Sequence, residues 1–187
     1  MIAPVFNQDS FKLLTVFSLS PGSRFRRNEL KEFTQLNNVT LDKALLRLVS
    51  SGVLGKNRTY YLNIENEASE ILVKLCAREH IRFKRIPFKA YFMIVDLVFQ
   101  ASLFNGIEFY LFGSYSKLVF SEKSDVDVAV LTTQTKDVKA VLSKLASKLS
   151  KSYGKELQLH FFDKTSFYRS KKDPLVSEII KNGVRLI

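Results

Sequence analysis

Two apolar runs enclose a polar middle in FYLFGSYSKLVFSEKSDVDVAVL, Phe109 to Leu131. The first, IEFYLF, is β-branched and aromatic and reads as a strand closed by Gly113-Ser114. YSKLVFSEKS reads as a short helical turn or loop, and DVDVAVLT as a second strand. Strand side chains alternate, so Asp125 and Asp127 share one face while Val126 and Val128 share the other. Ionising two neighbouring carboxylates costs free energy that a divalent cation removes. Mg²⁺, or Mn²⁺, held by Asp125 and Asp127 together with substrate phosphates suits these hard oxygen ligands. The backbone N–H groups and hydroxyl of Gly113-Ser114 suit a phosphate at close approach.

The remaining composition fits such a site. With 187 residues, 46% of them hydrophobic, the chain can bury a real core in one domain or two small ones. A formal charge of +11 favours a polyanionic partner, although a basic protein without one has the same composition. The single cysteine, Cys76, excludes an intrachain disulfide, fits a reducing, cytoplasmic setting, and reads as a buried structural thiol. The start MIAPVFNQDSFKLL does not read as a secretory leader. PFKAYFMIVDLVFQASLF carries Lys89, Asp96 and Gln100, so a buried helix is expected there rather than a membrane span.

Three segments are expected: residues 1–64, a helical connector at 65–105, and an α/β module at 106–187. SFKLLTVFSLSPG reads as a helix capped by Ser10 and ended by Pro21-Gly22, and RRNELKEFTQ as a second with Asn28 as a cap. VTLDKALLRLVSSGVL reads as a third, capped by Thr40, with Leu41, Ala44, Leu45, Leu48 and Val49 on one stripe. VLGKNRTYYLN reads as a hairpin turning at Gly55-Lys56-Asn57.

Three short helices and a hairpin resemble a winged helix-turn-helix domain. The resemblance implies duplex DNA as a partner, Thr40–Ser51 as the reading helix with Lys43 and Arg47 on its outward face, and Lys56 and Arg58 as wing contacts. Arg82, Lys84, Arg85 and Lys89 of the connector could add phosphate contacts, or form a solvated bend. The helix from Pro87 to Phe104 is apolar nearly all round and needs cover from both domains or from a second subunit in a homodimer.

The GS…DxD pattern between two strands resembles the DNA polymerase beta-type nucleotidyltransferase superfamily. Within it, GSYSKLVFSEKSDVDVAVL resembles the minimal nucleotidyltransferases of archaea and bacteria, whose pattern is GSxARG…SDxDL. The resemblance covers about 108–187, including the ending DPLVSEIIKNGVRLI. It implies an α+β chain whose C-terminal module has a mixed sheet with flanking helices. It also implies NTP phosphates at Gly113 and Ser114, metal and catalysis at Asp125 and Asp127, and transfer of a nucleoside monophosphate to a hydroxyl. Ser116 stands where the family often has Ala, and Leu118 where it often has Gly. The helix Lys136–Ser152 should precede a strand KELQLHFFD bearing the third acid. The aligned residue is Gln158, which is neutral; Glu156 substitutes if the register slips by two, His160 lies on the same face, and Asp163 lies beyond the strand end. Lys144, Lys148, Lys151 and Lys155 read as one solvated helix face.

Two functions follow. One is a Mg²⁺-dependent enzyme that modifies a protein or nucleic-acid hydroxyl. The other is a DNA-binding regulator, or an antitoxin-like partner of a toxin, with a weak or inactive nucleotidyltransferase fold. GS…DxD favours the first; the winged helix and Gln158 favour the second.

Overall fold

The computed structural model describes residues 7–83, 86–133 and 136–187. The chain divides into two units, one ending at Phe92 and the other beginning at Met93.

In the first unit Asn7, not Ser10, opens helix α1 (Gln8–Leu19), its side chain accepting the Ser10 amide at 3.2 Å. Both residue types cap helices; Ser10 lies inside the first turn and is itself buried. Strand β1 (Arg24–Phe25) follows. Helix α2 (Arg27–Thr34) starts after Arg26 rather than Asn28, because Glu29 accepts the Arg26 amide at 2.5 Å. Helix α3 (Asn38–Ser50) is capped by Asn37, not Thr40. Its buried stripe is Leu41, Ala44, Leu45 and Leu48, as the spacing predicts, whereas Val49, expected on the same stripe, is only half-buried at its edge. Strands β2 (Leu54–Asn57) and β3 (Thr59–Leu62) form the hairpin, which reverses at Arg58 with φ +56° rather than at Gly55-Lys56-Asn57. Gly55 is needed inside β2, where a Cβ would lie 2.2 Å from the Tyr61 ring. The three strands pair antiparallel in the order β1-β3-β2. Helix α4 (Glu67–Arg82) packs on α1. Helix α5 (Phe88–Ala101), shorter than the predicted 87–104 segment, contains the boundary between the units and is buried along most of its length. Of the basic segment IRFKR, Lys84 and Arg85 lie outside the described residues. Among the described residues no helix is long and apolar enough to cross a membrane.

The second unit is built on a four-stranded mixed sheet, order β6-β5-β4-β7. Strand β4 (Glu108–Phe112) pairs antiparallel with β5 (Val126–Thr132) and with β7 (Val184–Arg185). Strand β6 (Leu157–Asp163) pairs parallel with β5, which requires a crossover, and helix α7 (Lys136–Tyr153) supplies it. Val126, Val128 and Val130 are fully buried on one sheet face. On the opposite face Phe112, Ala129 and Leu131 form a core with Phe167 of helix α8 (Lys164–Arg169) and with Val176 and Ile179 of helix α9 (Pro174–Asn182). Asp163 is the last residue of β6 and also caps α8, accepting the Ser166 amide at 2.8 Å; it does not lie beyond the strand.

Candidate functional site in the C-terminal module

Asp125 immediately precedes β5, and Asp127 is its second residue. In register, Asp127 stands opposite Gln158, and Ala129 opposite His160. Alternation therefore puts Asp125, Asp127, Gln158 and His160 on one sheet face. Gln158 Nε2 donates to Asp125 Oδ2 at 2.8 Å and reaches Glu156 Oε1 at 3.4 Å. His160 Nε2 lies 3.2 Å from Asp127 Oδ1. The His160 ring stands edge-on to Phe112, centroids 5.0 Å apart, which holds the imidazole against the carboxylate.

The turn after β4 completes the arrangement. Helix α6 (Gly113–Lys117) begins at Gly113, whose φ is +71°. A Cβ there would lie 2.6 Å from Asp127 Oδ2, so the Asp127 carboxylate rests against a bare glycine Cα. Ser114 is half-buried in the first turn. Ser116 is buried and its hydroxyl donates to Gly113 O at 3.0 Å, so the hydroxyl is accommodated at this Ala-like position. Leu118 caps α6 in the left-handed region at φ +61°, which explains why the resembled pattern carries glycine there. Lys117 pairs with Glu178 of α9 at 2.6 Å and ties the turn to the module.

Sequence reasoning passed over the support of the loop between α6 and β5. Tyr115 is buried and stacks on Phe120 with centroids 4.6 Å apart. Lys155, read with the solvated lysines of α7, lies past the helix end and donates to Glu122 O at 3.0 Å and Ser124 O at 2.8 Å. Nothing in the spacing of charges marks it; the one available signal is its place beside Gly154, where the helix pattern stops.

These observations converge on residues that also match a known family. Residues 102–187 match the family model Polymerase beta, Nucleotidyltransferase. The matched region contains every side chain of the site, and the module has a nucleotidyltransferase-like fold. No curated protein and no solved structure matches the chain.

The donor set bears on a metal. Two partly exposed carboxylates on one face present hard oxygens, which fit one divalent cation that takes its other ligands from phosphates and water. Among the described residues no group of three or more His, Cys, Asp or Glu could hold an ion. Gln158 brings a neutral amide, with its N–H directed at Asp125, to the position next to the pair, and an amide N–H does not ligate a second ion.

The basic residues expected to meet DNA all lie in the first unit. Lys43 is exposed on α3. Arg47 Nη1 donates to Ser10 Oγ at 3.2 Å, and Asp42 is held by Arg27 at 2.7 Å. Val39 and Leu46 are exposed on the same helix. Lys56 Nζ lies 5.5 Å from the Tyr60 ring centroid, and Arg58 is exposed at the hairpin tip. Of the connector residues, Arg82 pairs with Glu79 at 2.7 Å and Lys89 is exposed.

Proposed function

We propose that the C-terminal module binds an NTP with one Mg²⁺, or Mn²⁺, and transfers its nucleoside monophosphate slowly to a hydroxyl of a protein or nucleic acid. The observation that carries this reading is the packing of the Asp127 carboxylate against the Gly113-Ser114 turn, where a Cβ on Gly113 would lie 2.6 Å from Asp127 Oδ2. Asp125 and Asp127 would hold the cation, and Gly113 with Ser114 would receive the phosphates. When bound, the cation would offset the negative charge of the phosphates. In the transfer, the acceptor oxygen would bond to the α-phosphorus and pass its proton to water, while the bond to the leaving pyrophosphate breaks. No carboxylate stands at Gln158 to help the acceptor lose its proton, and this makes the transfer slow.

The Gln158–Asp125 hydrogen bond favours a second reading, nucleotide binding without turnover in a regulator or antitoxin-like protein. The order α1-β1-α2-α3-β2-β3 supports a winged helix and, with it, duplex DNA contacts from Lys43, Arg47, Lys56 and Arg58. The apolar α5 is already buried within the single chain and gives no support to a homodimer, whereas the buried Cys76 fits a reducing cytoplasm.

Incubation with NTPs labelled at the α-phosphate, Mg²⁺ and cell extract separates the two readings. Label that depends on Asp127 supports the enzyme. If no label appears even with Gln158→Asp, while Mg²⁺-NTP still binds, the protein is a binder.

A further inference from the structure

We infer that Lys155 is a positioning residue for the metal-nucleotide site, a single ammonium that clamps the loop from the Gly113-Ser114 turn to Asp125. The clamp is built from three contacts. Lys155 Nζ donates to the carbonyls of Glu122 and Ser124 at 3.0 and 2.8 Å, the second being the peptide that leads into Asp125. The same Nζ lies 5.4 Å from the Tyr115 ring centroid. Tyr115 in turn belongs to α6 and stacks on Phe120 with an interplanar angle of 4°. Both ends of the loop are thereby tied to one cation. Lys155 itself is fixed, since its amide donates to Ser150 O at 3.2 Å at the end of α7, and Glu156 O, one residue on, accepts the Val126 amide at 2.9 Å. A charged donor shared between two carbonyls is stronger than a neutral one, and a ring face adds attraction for the same charge. The loop's other bonds are mostly local to it: the Ser121 amide donates to Ser124 Oγ at 2.8 Å, the Ser124 amide to Ser121 O at 3.1 Å, and the Val119 amide to Ser114 O at 3.0 Å, while Lys117 pairs with Glu178 at 2.6 Å; residues Lys117 to Val119 and Ser121 to Lys123 are exposed.

The consequence for the site rests on the metal-nucleotide reading above; the clamp itself does not. Two physical effects of removing Lys155 have opposite signs. By Coulomb's law, a cation near Asp125 opposes a second cation, so its loss should tighten metal binding. If its role is to position the Asp125 backbone, its loss should weaken binding.

The test uses the full chain as wild type, Lys155→Met and Lys155→Arg. Mn²⁺ binding in the presence of ATP is followed by electron paramagnetic resonance, and exchange of the Ser121, Ser124 and Val126 amides by NMR. The account expects Lys155→Met to weaken Mn²⁺ about tenfold or more, in the range for residues that orient metal ligands, and to speed exchange at the three amides. Lys155→Arg, which keeps charge and donors, should stay near wild type in both. Mn²⁺ binding by Lys155→Met equal to or tighter than wild type overturns the positioning role. If wild type binds no Mn²⁺ with ATP, the metal-nucleotide reading fails instead, and exchange alone judges the clamp: unchanged protection in Lys155→Met refutes it.

Discussion

Gly113 and Leu118 bound helix α6, and both sit at positive φ, +71° and +61°. Their substitutions have opposite effects. At Gly113 a methyl meets Asp127 Oδ2 at 2.6 Å, so Gly113→Ala should cost roughly tenfold or more in Mg²⁺-ATP affinity, measured by calorimetry. Leu118 is half exposed and gains nothing from its strained backbone. Leu118→Gly should raise stability by up to about 1 kcal/mol in urea denaturation, the left-handed penalty less the added chain entropy of glycine. At Gln158 the amide donates to Asp125 where a carboxylate could share a second ion. Gln158→Asp should raise the rate of label transfer, whereas Glu156→Gln should do little; an active wild type abolished by Glu156→Gln would contradict this assignment. Cys76 is buried and its thiol is pushed up to about 12, chiefly by desolvation, with the neighbouring Glu79 also raising it. At pH 8 it should not react with a disulfide reagent until the protein is unfolded.

At the scale of elements, period-two alternation was readable where β5 and β6 begin, because Asp125 and Asp127 alternate with the buried Val126 and Val128, and Gln158 and His160 with Leu157 and Leu159; farther along β5, Ala129 and Leu131 bury the second face as well. It paired Asp125 with Asp127 at β5, and Gln158 with Glu156 and His160 at β6; setting one group beside the other came from the family resemblance, and the register has Asp127 opposite Gln158. Helix starts were less readable, since Asn7, Ser10, Asn37 and Thr40 all favour caps, and side-chain geometry decides among them. The short elements β1 and β7 were invisible, because two residues carry no period and their pairing comes from distant partners. The role of Lys155 was hidden for a similar reason: its partners are backbone carbonyls more than thirty positions away, and a carbonyl leaves no mark in sequence. The hairpin of β2 and β3 carries its own test. Lys56→Ala with Arg58→Ala should weaken duplex DNA binding about equally across sequences and reduce the salt slope by about 2, as expected for two phosphate contacts. A loss confined to one DNA sequence would assign base contacts instead.

For the whole molecule, charge of one sign dominates, and one of the acids is held in a built network. Glu108, at the start of β4, accepts from Tyr168 at 2.6 Å and Tyr110 at 3.2 Å and pairs with Lys164 at 2.7 Å. Burial alone would raise its pKa, but the bonds from Lys164 and Tyr168 outweigh it and hold the carboxyl below the usual glutamate range. A lowered folded pKa contributes stability that is present above the unfolded value and is lost as pH falls through the folded one. Glu108→Gln should therefore destabilise the protein near neutral pH and flatten the acid limb of its stability curve, read as midpoint against pH. The net charge of +11 has a further effect, because a basic protein attracts nucleotides without any specific site. Dependence on Mg²⁺ is what distinguishes the Asp125–Asp127 pair from that background. The decisive measurement is calorimetric titration of ATP, with and without Mg²⁺, into wild type and the Asp125→Asn/Asp127→Asn double variant. The account predicts Mg²⁺-dependent binding in wild type that disappears in the variant; equal Mg²⁺-dependent binding by both proteins would contradict it.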